Sequence, residues 1–393
     1  MVGVELTDTD FSALAEQHRR ELHVHCYRML GSFEDAEDTV QETFLRAWRR
    51  RETFEGRSTF RAWLYRIATN ACLDLLAKVR PEPAVGGEVQ WLQPYPDRLL
   101  DEQPEALAIA RETIELAYVV AVQHLAPRPR AVLILRDLLG WPAKDVADLL
   151  GDSVNSVNSA LQRARAGMRE HLPTDRQNWP TTDPASTTGS GSAPTATVTG
   201  SGPTATGSGP TAAGSGLNAA GSGLNAAGSG PTAAGPTAAT GSDATVGSAS
   251  AAAGSGATGL GGTGLSALDP ATRDLVRRFT DASVATDIPA LTALLRHDVR
   301  ASMPPTPGLH IGRDNVVKNW IDDGFEGMTG LQAIPTSVNR QPAVAFYHWR
   351  ETEGAYLPLT LDVLRITAGK ITEIHTFHSD RFAGLDLPAR LPA

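Results

Sequence analysis

Apolar residues recur at helical spacing through residues 10–30, 35–50 and 60–78, which predicts three amphipathic helices. In the second, Ala36, Val40, Phe44 and Trp48 form a stripe at i, i+4 spacing that is expected to face a core. Asp35, Asp38, Glu42, Arg46 and Arg49 fall on the other face, acids near the start and arginines near the end, as the helix dipole favours. In the third, Leu64, Ile67, Ala71 and Leu75 are core-type positions. A proline-containing connector at 81–104 leads into a second helical block from 105 to about 171. Far along the chain, 271–295 predicts another helix, and 343–350 and 359–366 predict strands because they are rich in β-branched and aromatic residues. The pattern is multidomain: two all-α regions, then an α+β region.

Between them the pattern disappears. Residues 181–264 contain no Lys, Arg, Glu or aromatic residue, and their only charges are Asp183 and Asp243. A seven-residue unit repeats there, as GSGPTAT from Gly200, GSGPTAA from Gly207 and Gly228, and GSGLNAA from Gly214 and Gly221. Two glycines per unit and almost no large apolar residue exclude a coiled coil, so the segment reads as a flexible tether. At about 5–6 Å × √n, ~85 residues span roughly 50 Å on average. That reach lets the last domain touch the first without being fixed to it. The expected layout is 1–80 and 105–175 as helical domains, 81–104 as connector, 176–265 as tether and 266–393 as tail.

Composition narrows the partners. The chain has 393 residues, 41% of them hydrophobic, and a net charge of −9, so contact with DNA must come from local basic patches. Cys26 and Cys72 are the only cysteines, too few for a disulfide framework or a zinc site and consistent with a reducing cytosol. The start, MVGVELTDTDF, has neither the basic nor the apolar stretch of a signal peptide, and no apolar run approaches a membrane span. The expectation is a cytoplasmic protein without metal, cofactor or membrane insertion.

Basic residues crowd the loop and helix after the acidic face. Arg49, Arg50, Arg51, Arg57, Arg61 and Arg66 interleave with Phe54, Phe60, Trp63 and Tyr65. Arginines neutralise phosphates and aromatic faces stack on unpaired bases, a combination suited to strand-separated DNA. Periodicity alone also fits an amphipathic surface helix, core aromatics and solvated arginines. The run DAEDTVQETFLRAWRRRETFEGRSTFRAWLYRIATNACLDLLAK, within residues 11–78, resembles region two of extracytoplasmic-function (ECF) sigma factors of the sigma-70 superfamily. The resemblance implies that Asp35, Asp38, Gln41 and Glu42 bind the clamp helices of the largest subunit of core RNA polymerase. It also implies that the loop at 51–59 takes a flipped base of the minus-ten element, with Arg51, Arg57, Arg61, Arg66 and Asn70 as DNA-binding candidates. An unpaired base exposes its Watson–Crick edge and can be read in a pocket.

Residues 142–168 carry a helix-turn-helix pattern. PAKDVADLLG predicts a short helix with Val146, Leu149 and Leu150 inward, ended by Gly151. Ser153 is the expected N-cap of a second helix that buries Val157, Leu161, Ala164 and Met168. Asn155, Ser156, Asn158, Ser159, Gln162, Arg163 and Arg165 are left for a DNA groove. The segment resembles region four of the same family, which implies recognition of the minus-thirty-five element and docking on the polymerase flap. The family commonly has Thr-Val-Lys-Ser where this chain has Ser156, Val157, Asn158 and Ser159, which removes one phosphate contact.

The tail resembles SnoaL-like domains of the cone-shaped, NTF2-like fold, in its opening LVRRFTDASVATDIPALTALLRHDVRASMPP and in its strand-rich close. Such cones have a mouth that can take a small-molecule ligand. Enzymes of the fold use an Asp or His to move a proton. Candidates here are Asp298, His310, His348, Asp362, His375 and His378, but no spacing among them singles out a base and an oxyanion donor. The expectation is therefore a non-catalytic initiation factor that binds core polymerase and promoter DNA, with a regulatory tail. A Gly-rich acidic motif that often follows region four in related factors with such tails is missing; the GSG repeat stands in its place. The alternatives are a helix-turn-helix regulator that is no polymerase subunit, and an isomerase-like enzyme in the tail. The acidic DAED helix argues against the first, because an ordinary duplex-binding repressor has no need of it.

Overall fold

A computed structural model describes residues 8–54, 59–79, 89–100, 113–172, 268–382 and 384–393. Arg57, half of the connector (81–88 and 101–104) and the tether at 176–265 lie outside the described residues. The described residues fall within a single unit made of Met1–Ala185 and Gly259–Ala393.

The first domain is built from α1 (Asp8–Gln17), α2 (Arg19–Leu30), α3 (Phe33–Arg49) and α4 (Phe60–Val79). The single helix expected over 10–30 is broken at His18. Gly31 ends α2 in the left-handed region (φ 71°), and its N–H donates to Tyr27 O. A β-carbon there would also sit 3.0 Å from the Gln123 side chain, so both the turn and the close approach require glycine. Ser32 then caps α3 by accepting from the Asp35 N–H. The buried stripe of α3 is Ala36, Thr39, Val40, Thr43 and Ala47, with Phe44 and Trp48 only half-buried on its flank. At 3.6 residues per turn, repeated i+4 steps drift about 40° each, so a stripe extrapolated from Ala36 leaves the core by its fourth member.

The second domain holds α5 (Leu116–Gln123), α6 (Pro127–Leu133) with a π segment (Ile134–Leu138), α7 (Ala143–Leu150) and α8 (Val154–His171). Gly151 ends α7 at φ 68°, and Ser153 Oγ accepts from the Ser156 N–H at the start of α8. Val146, Leu149, Leu150, Val157, Leu161, Ala164 and Met168 are all buried, as the sequence pattern requires. The two domains are stitched by Arg130, which is 4% exposed. Its guanidinium donates to Met29 O at 2.5 Å, Gln123 Oε1 at 2.7 Å, Gln123 O at 2.8 Å and Leu125 O at 2.9 Å.

The tail opens with α9 (Pro270–Val284), capped by Asp269, and α10 (Ile288–Leu294). One helix, α11 (Arg313–Asp322), and six strands follow: β1 (Leu295–Met303), β2 (Thr306–Ile311), β3 (Leu331–Val338), β4 (Gln341–Arg350), β5 (Ala355–Thr367) and β6 (Lys370–His378). The sheet order is β2-β1-β6-β5-β4-β3, with β1 and β6 parallel and the other pairs antiparallel.

Both faces of this sheet are buried. On β4, Val344 and Phe346 join the core of the cone, while Ala343, Ala345 and Tyr347 join a second core shared with the helical domains. On β5, Leu364 goes to the cone and Leu361 and Val363 to the shared core. A strand buried on both faces reads as a continuous apolar run, as PAVAFY does here. The tail is thus packed on the head, where the tether alone implied only occasional contact.

The tip of the β3–β4 hairpin makes this docking specific. Asn339 (φ 53°) and Arg340 (φ 56°) form a two-residue turn, and Asn339 is fully buried. Its Oδ1 accepts from the Tyr95 N–H at 2.7 Å, and its Nδ2 donates to Tyr27 OH at 2.9 Å and Ile114 O at 2.8 Å. One side chain therefore joins α2, the connector and the approach to α5. Gln341 Oε1 adds a cap to the Leu116 N–H at 2.7 Å. Farther along, Arg381 pairs with Glu34 of α3 at 3.3 Å, and Arg98 pairs with Asp386 at 2.9 Å.

Candidate protein- and DNA-binding surfaces

On α3, Asp38 and Gln41 are exposed, while Asp35 is half-buried near the helix start. Glu42 is half-buried and accepts from Arg46 Nε at 2.7 Å; Arg46 also donates to Asp74 at 2.8 Å. Leu45 is 51% exposed and was not singled out by the sequence reading. It lies seven residues from Asp38, and two turns bring it back to the same face. Its signal in the sequence was an apolar residue off the core stripe. Asp38, Gln41 and Leu45 form an exposed face, on which Gln41 donates to Glu37 Oε1 at 3.3 Å one turn earlier.

The candidates for the minus-ten element are less free. Arg51 lies over the Trp48 ring, 4.2 Å from its centroid, and donates to Trp48 O. Arg61 pairs with Glu21 at 2.6 Å and lies over the Tyr65 ring. Arg66 donates to Asp148 O of α7. Asn70 is exposed and, four residues on, shares a face of α4 with Arg66; Arg61 points elsewhere, toward α2. Phe54, Phe60 and Trp63 contact one another at 5.4–5.7 Å between ring centroids, forming a half-buried cluster instead of an open stacking platform.

On α8, Asn155, Ser156, Asn158, Ser159, Gln162 and Arg163 are all exposed. Arg165 is half-buried and already has a partner within the fold. Its guanidinium forms a two-pronged pair with Asp137 at 2.9 and 2.8 Å, and Asp137 is only 8% exposed, so Arg165 fastens α8 to the π segment. Rotation by two positions from Arg163 carries it to the inner edge of the helix. Arg169, seven residues after Gln162, is exposed and extends the outer face; that spacing was legible in the sequence.

In the tail, the structure separates the acid–base candidates. Asp298 is exposed and paired with Arg296. His375 Nδ1 lies 2.9 Å from Ser302 Oγ, and His348 and His378 are half-buried. Only His310 and Asp362 line the cavity of the cone. Among the described residues, no group of three or more His, Cys, Asp or Glu could hold a metal ion, and no helix is long and apolar enough to cross a membrane.

Two helical domains, the second with a helix-turn-helix, followed by an α+β domain on a six-stranded sheet, define the class: the sigma-70 architecture with an added α+β tail. Residues 14–81 match sigma-70 region 2, and residues 115–168 match sigma-70 region 4. The chain is 49% identical over 181 residues to the ECF RNA polymerase sigma factor SigG of Mycobacterium tuberculosis, a match that covers 42% of this chain and 49% of SigG. It thus spans about half the length of that relative. It is 31% identical over 162 residues to SigM of the same species, covering 41% of this chain and 76% of SigM. The crystal structure of the Mycobacterium tuberculosis ECF sigma factor SigJ has the same overall fold, with a TM-score of 0.52 at 19% identity over 96% of this chain and 100% of that one. The chain belongs to the ECF RNA polymerase sigma factors.

Proposed function

We propose that this chain is a cytoplasmic, non-enzymatic initiation factor that binds core RNA polymerase, recognises promoter DNA and is modulated by its tail. The observation that carries the reading is the pair of exposed faces: Asp38, Gln41 and Leu45 on α3, and Asn155, Ser156, Asn158, Ser159, Gln162 and Arg163 on α8. In this reading α3 meets the clamp helices of the largest subunit, the second domain docks on the flap, α8 reads the minus-thirty-five element, and the 51–59 loop with Arg61, Arg66 and Asn70 engages the minus-ten strand. The domain limits follow the layout read from the sequence. Run-off transcription by core polymerase with and without the full chain tests it; no promoter-dependent transcript would refute it.

The arrangement described above is a closed one. Arg66 of the minus-ten set touches Asp148 O, in the first helix of the helix-turn-helix, and Tyr65 packs on Trp141 at 5.4 Å. Elements centred near −10 and −35 lie about 25 base pairs apart, roughly 80 Å at 3.4 Å per step. Binding both therefore needs the two domains to part, and Asn339 holds the joint between them. This supports a restraining role for the tail.

Two substitutions check the surfaces. Asp38→Lys combined with Leu45→Ala is expected to weaken pull-down of core polymerase by about tenfold or more, since hot-spot residues cost about 1–2 kcal/mol or more each. Unchanged capture by the folded double variant would remove α3 from the polymerase contact. Arg163→Ala is expected to lower promoter affinity and to reduce the slope of log K against log salt by about 0.9, one phosphate's worth. The same measurement on Arg165→Ala separates the roles: stability should fall because Asp137 loses its partner.

A further inference from the structure

Among the described residues, the helical domains expose two large apolar side chains, Leu45 and Val154. Leu45 lies on the face of α3 assigned above to the polymerase. Val154, 41% exposed, is the first residue of α8, directly after its Ser153 cap. It joins neither hydrophobic core, and a β-branched residue is a mediocre helix former. Neither packing nor helix propensity therefore accounts for a valine at this position.

The Cα–Cβ bonds of a helix tilt toward its N-terminal end. The first-turn side chains of α8 thus project ahead of it, where the second helix of a helix-turn-helix meets base edges. Val154 has Asn155 beside it and Asn158 one turn on, and Ser159 and Gln162 continue the surface; all four are exposed. From Val154 to Gln162 there is no Lys or Arg, and the first cation of α8 is Arg163.

That composition decides which base pairs this surface can read. In the major groove guanine shows two acceptors, N7 and O6, and the matching double donor is Arg or Lys. Adenine shows the N7 acceptor beside the N6 amino donor, and the amide of Asn or Gln matches it with one donor and one acceptor. Thymine adds a methyl group, which an apolar side chain rewards. Amides, hydroxyls and one valine fit A·T pairs. The phosphates are left to Arg163 and Arg169, both exposed.

We propose that the first two turns of α8 select A·T pairs in the upstream promoter element. Asn158 takes the N7 and N6 edge of an adenine, and Val154 packs on the thymine methyl of a neighbouring pair. The spacing suits this: side chains one turn apart lie about 5–6 Å from each other, and successive bases about 3.4 Å. The assignment rests on α8 lying in a DNA groove, the reading proposed above.

The test uses the full chain assembled with core RNA polymerase. Selection from randomised duplexes defines the upstream element, which is expected to contain A·T pairs. Each of its thymines is then replaced by deoxyuracil, which pairs identically but lacks the methyl group. At one position affinity should fall about 4-fold, the worth of one buried methyl group. Val154→Ala should bind thymine at that lowered level and lose nothing further with uracil. At the neighbouring adenine, 7-deazaadenine carries CH in place of N7. It should cost the unaltered chain about 2- to 10-fold, the range of one hydrogen bond, and cost Asn158→Ala nothing. Both side chains are exposed, so both variants should melt with the unaltered chain. An element of G·C pairs alone, thymine methyls without effect, or a uracil effect that persists in Val154→Ala overturns the assignment. In those cases specific promoter binding still upholds the initiation-factor reading, whereas no promoter-specific binding at all removes both. If Val154→Ala weakens capture of core polymerase while its response to uracil matches that of the unaltered chain, the side chain meets protein and the assignment falls.

Discussion

Asn339→Gly is expected to free the tail from the head while leaving both folded. Glycine keeps the left-handed backbone of the turn (φ 53°), so the change removes hydrogen bonds without adding strain. The Tyr95 N–H and Ile114 O then lose a partner in a site closed to water, while the Tyr27 OH keeps its bond to Gln93 O. Each unsatisfied buried group costs about 1–3 kcal/mol, and the two share one side chain, so the joint loss is about 3 kcal/mol. Hydrogen exchange at the Tyr95 and Leu116 amides should accelerate by about 100-fold, the equivalent of that energy. Amides in the cone strands and in α2 should be much less affected. Run-off transcription should rise if the tail restrains the joint. Faster exchange with unchanged transcription would mean that docking is structural only, and unchanged exchange would mean that water or Gln341 replaces the lost bonds.

Arg130→Met should cost about as much, for a different reason. The substitution keeps the length and the apolar stem but leaves four oxygens, on Met29, Gln123 and Leu125, without their donor. Hydrogen bonds to a charged group contribute about 1.5–3 kcal/mol each, though water can enter once the group is gone. A loss of about 3 kcal/mol is expected, which for a body of this size lowers the melting temperature by roughly 4–6 °C. Urea unfolding should move its midpoint without changing the slope. Because Arg130 spans α2 and the start of α6, the variant should also part the two helical domains more readily. A loss below about 1 kcal/mol would show that the domains do not depend on this clasp.

The local devices were readable in the chain itself. Ser153 capping α8, Gly151 ending α7 and the inward residues of both helices follow from capping chemistry and 3.6-residue periodicity, which act within a few residues of each other. The outer face of α8 from Asn155 to Arg163 follows from the same arithmetic, as does the acidic face of α3. Leu45 and Arg169 were equally legible, as residues left over once the core stripes are drawn.

Partner choice between distant segments was not. Whether Arg165 meets a phosphate or Asp137 depends on where the π segment runs, and Arg61 could be matched to Glu21 only once α2 and α4 were packed. An arginine looks the same in sequence whether it is solvated, paired internally or waiting for DNA. The docking of the tail left one trace, the uninterrupted apolar run of β4, which signals a strand buried on two sides without naming what covers it. Asn339 gave no trace of its role, since Asn in a two-residue turn is explained by its tolerance of positive φ alone. Short-range chemistry sets the elements and their caps. Burial, which assigns hydrogen-bond partners across hundreds of residues, belongs to the tertiary structure, because only there is water excluded and each polar group obliged to find a partner.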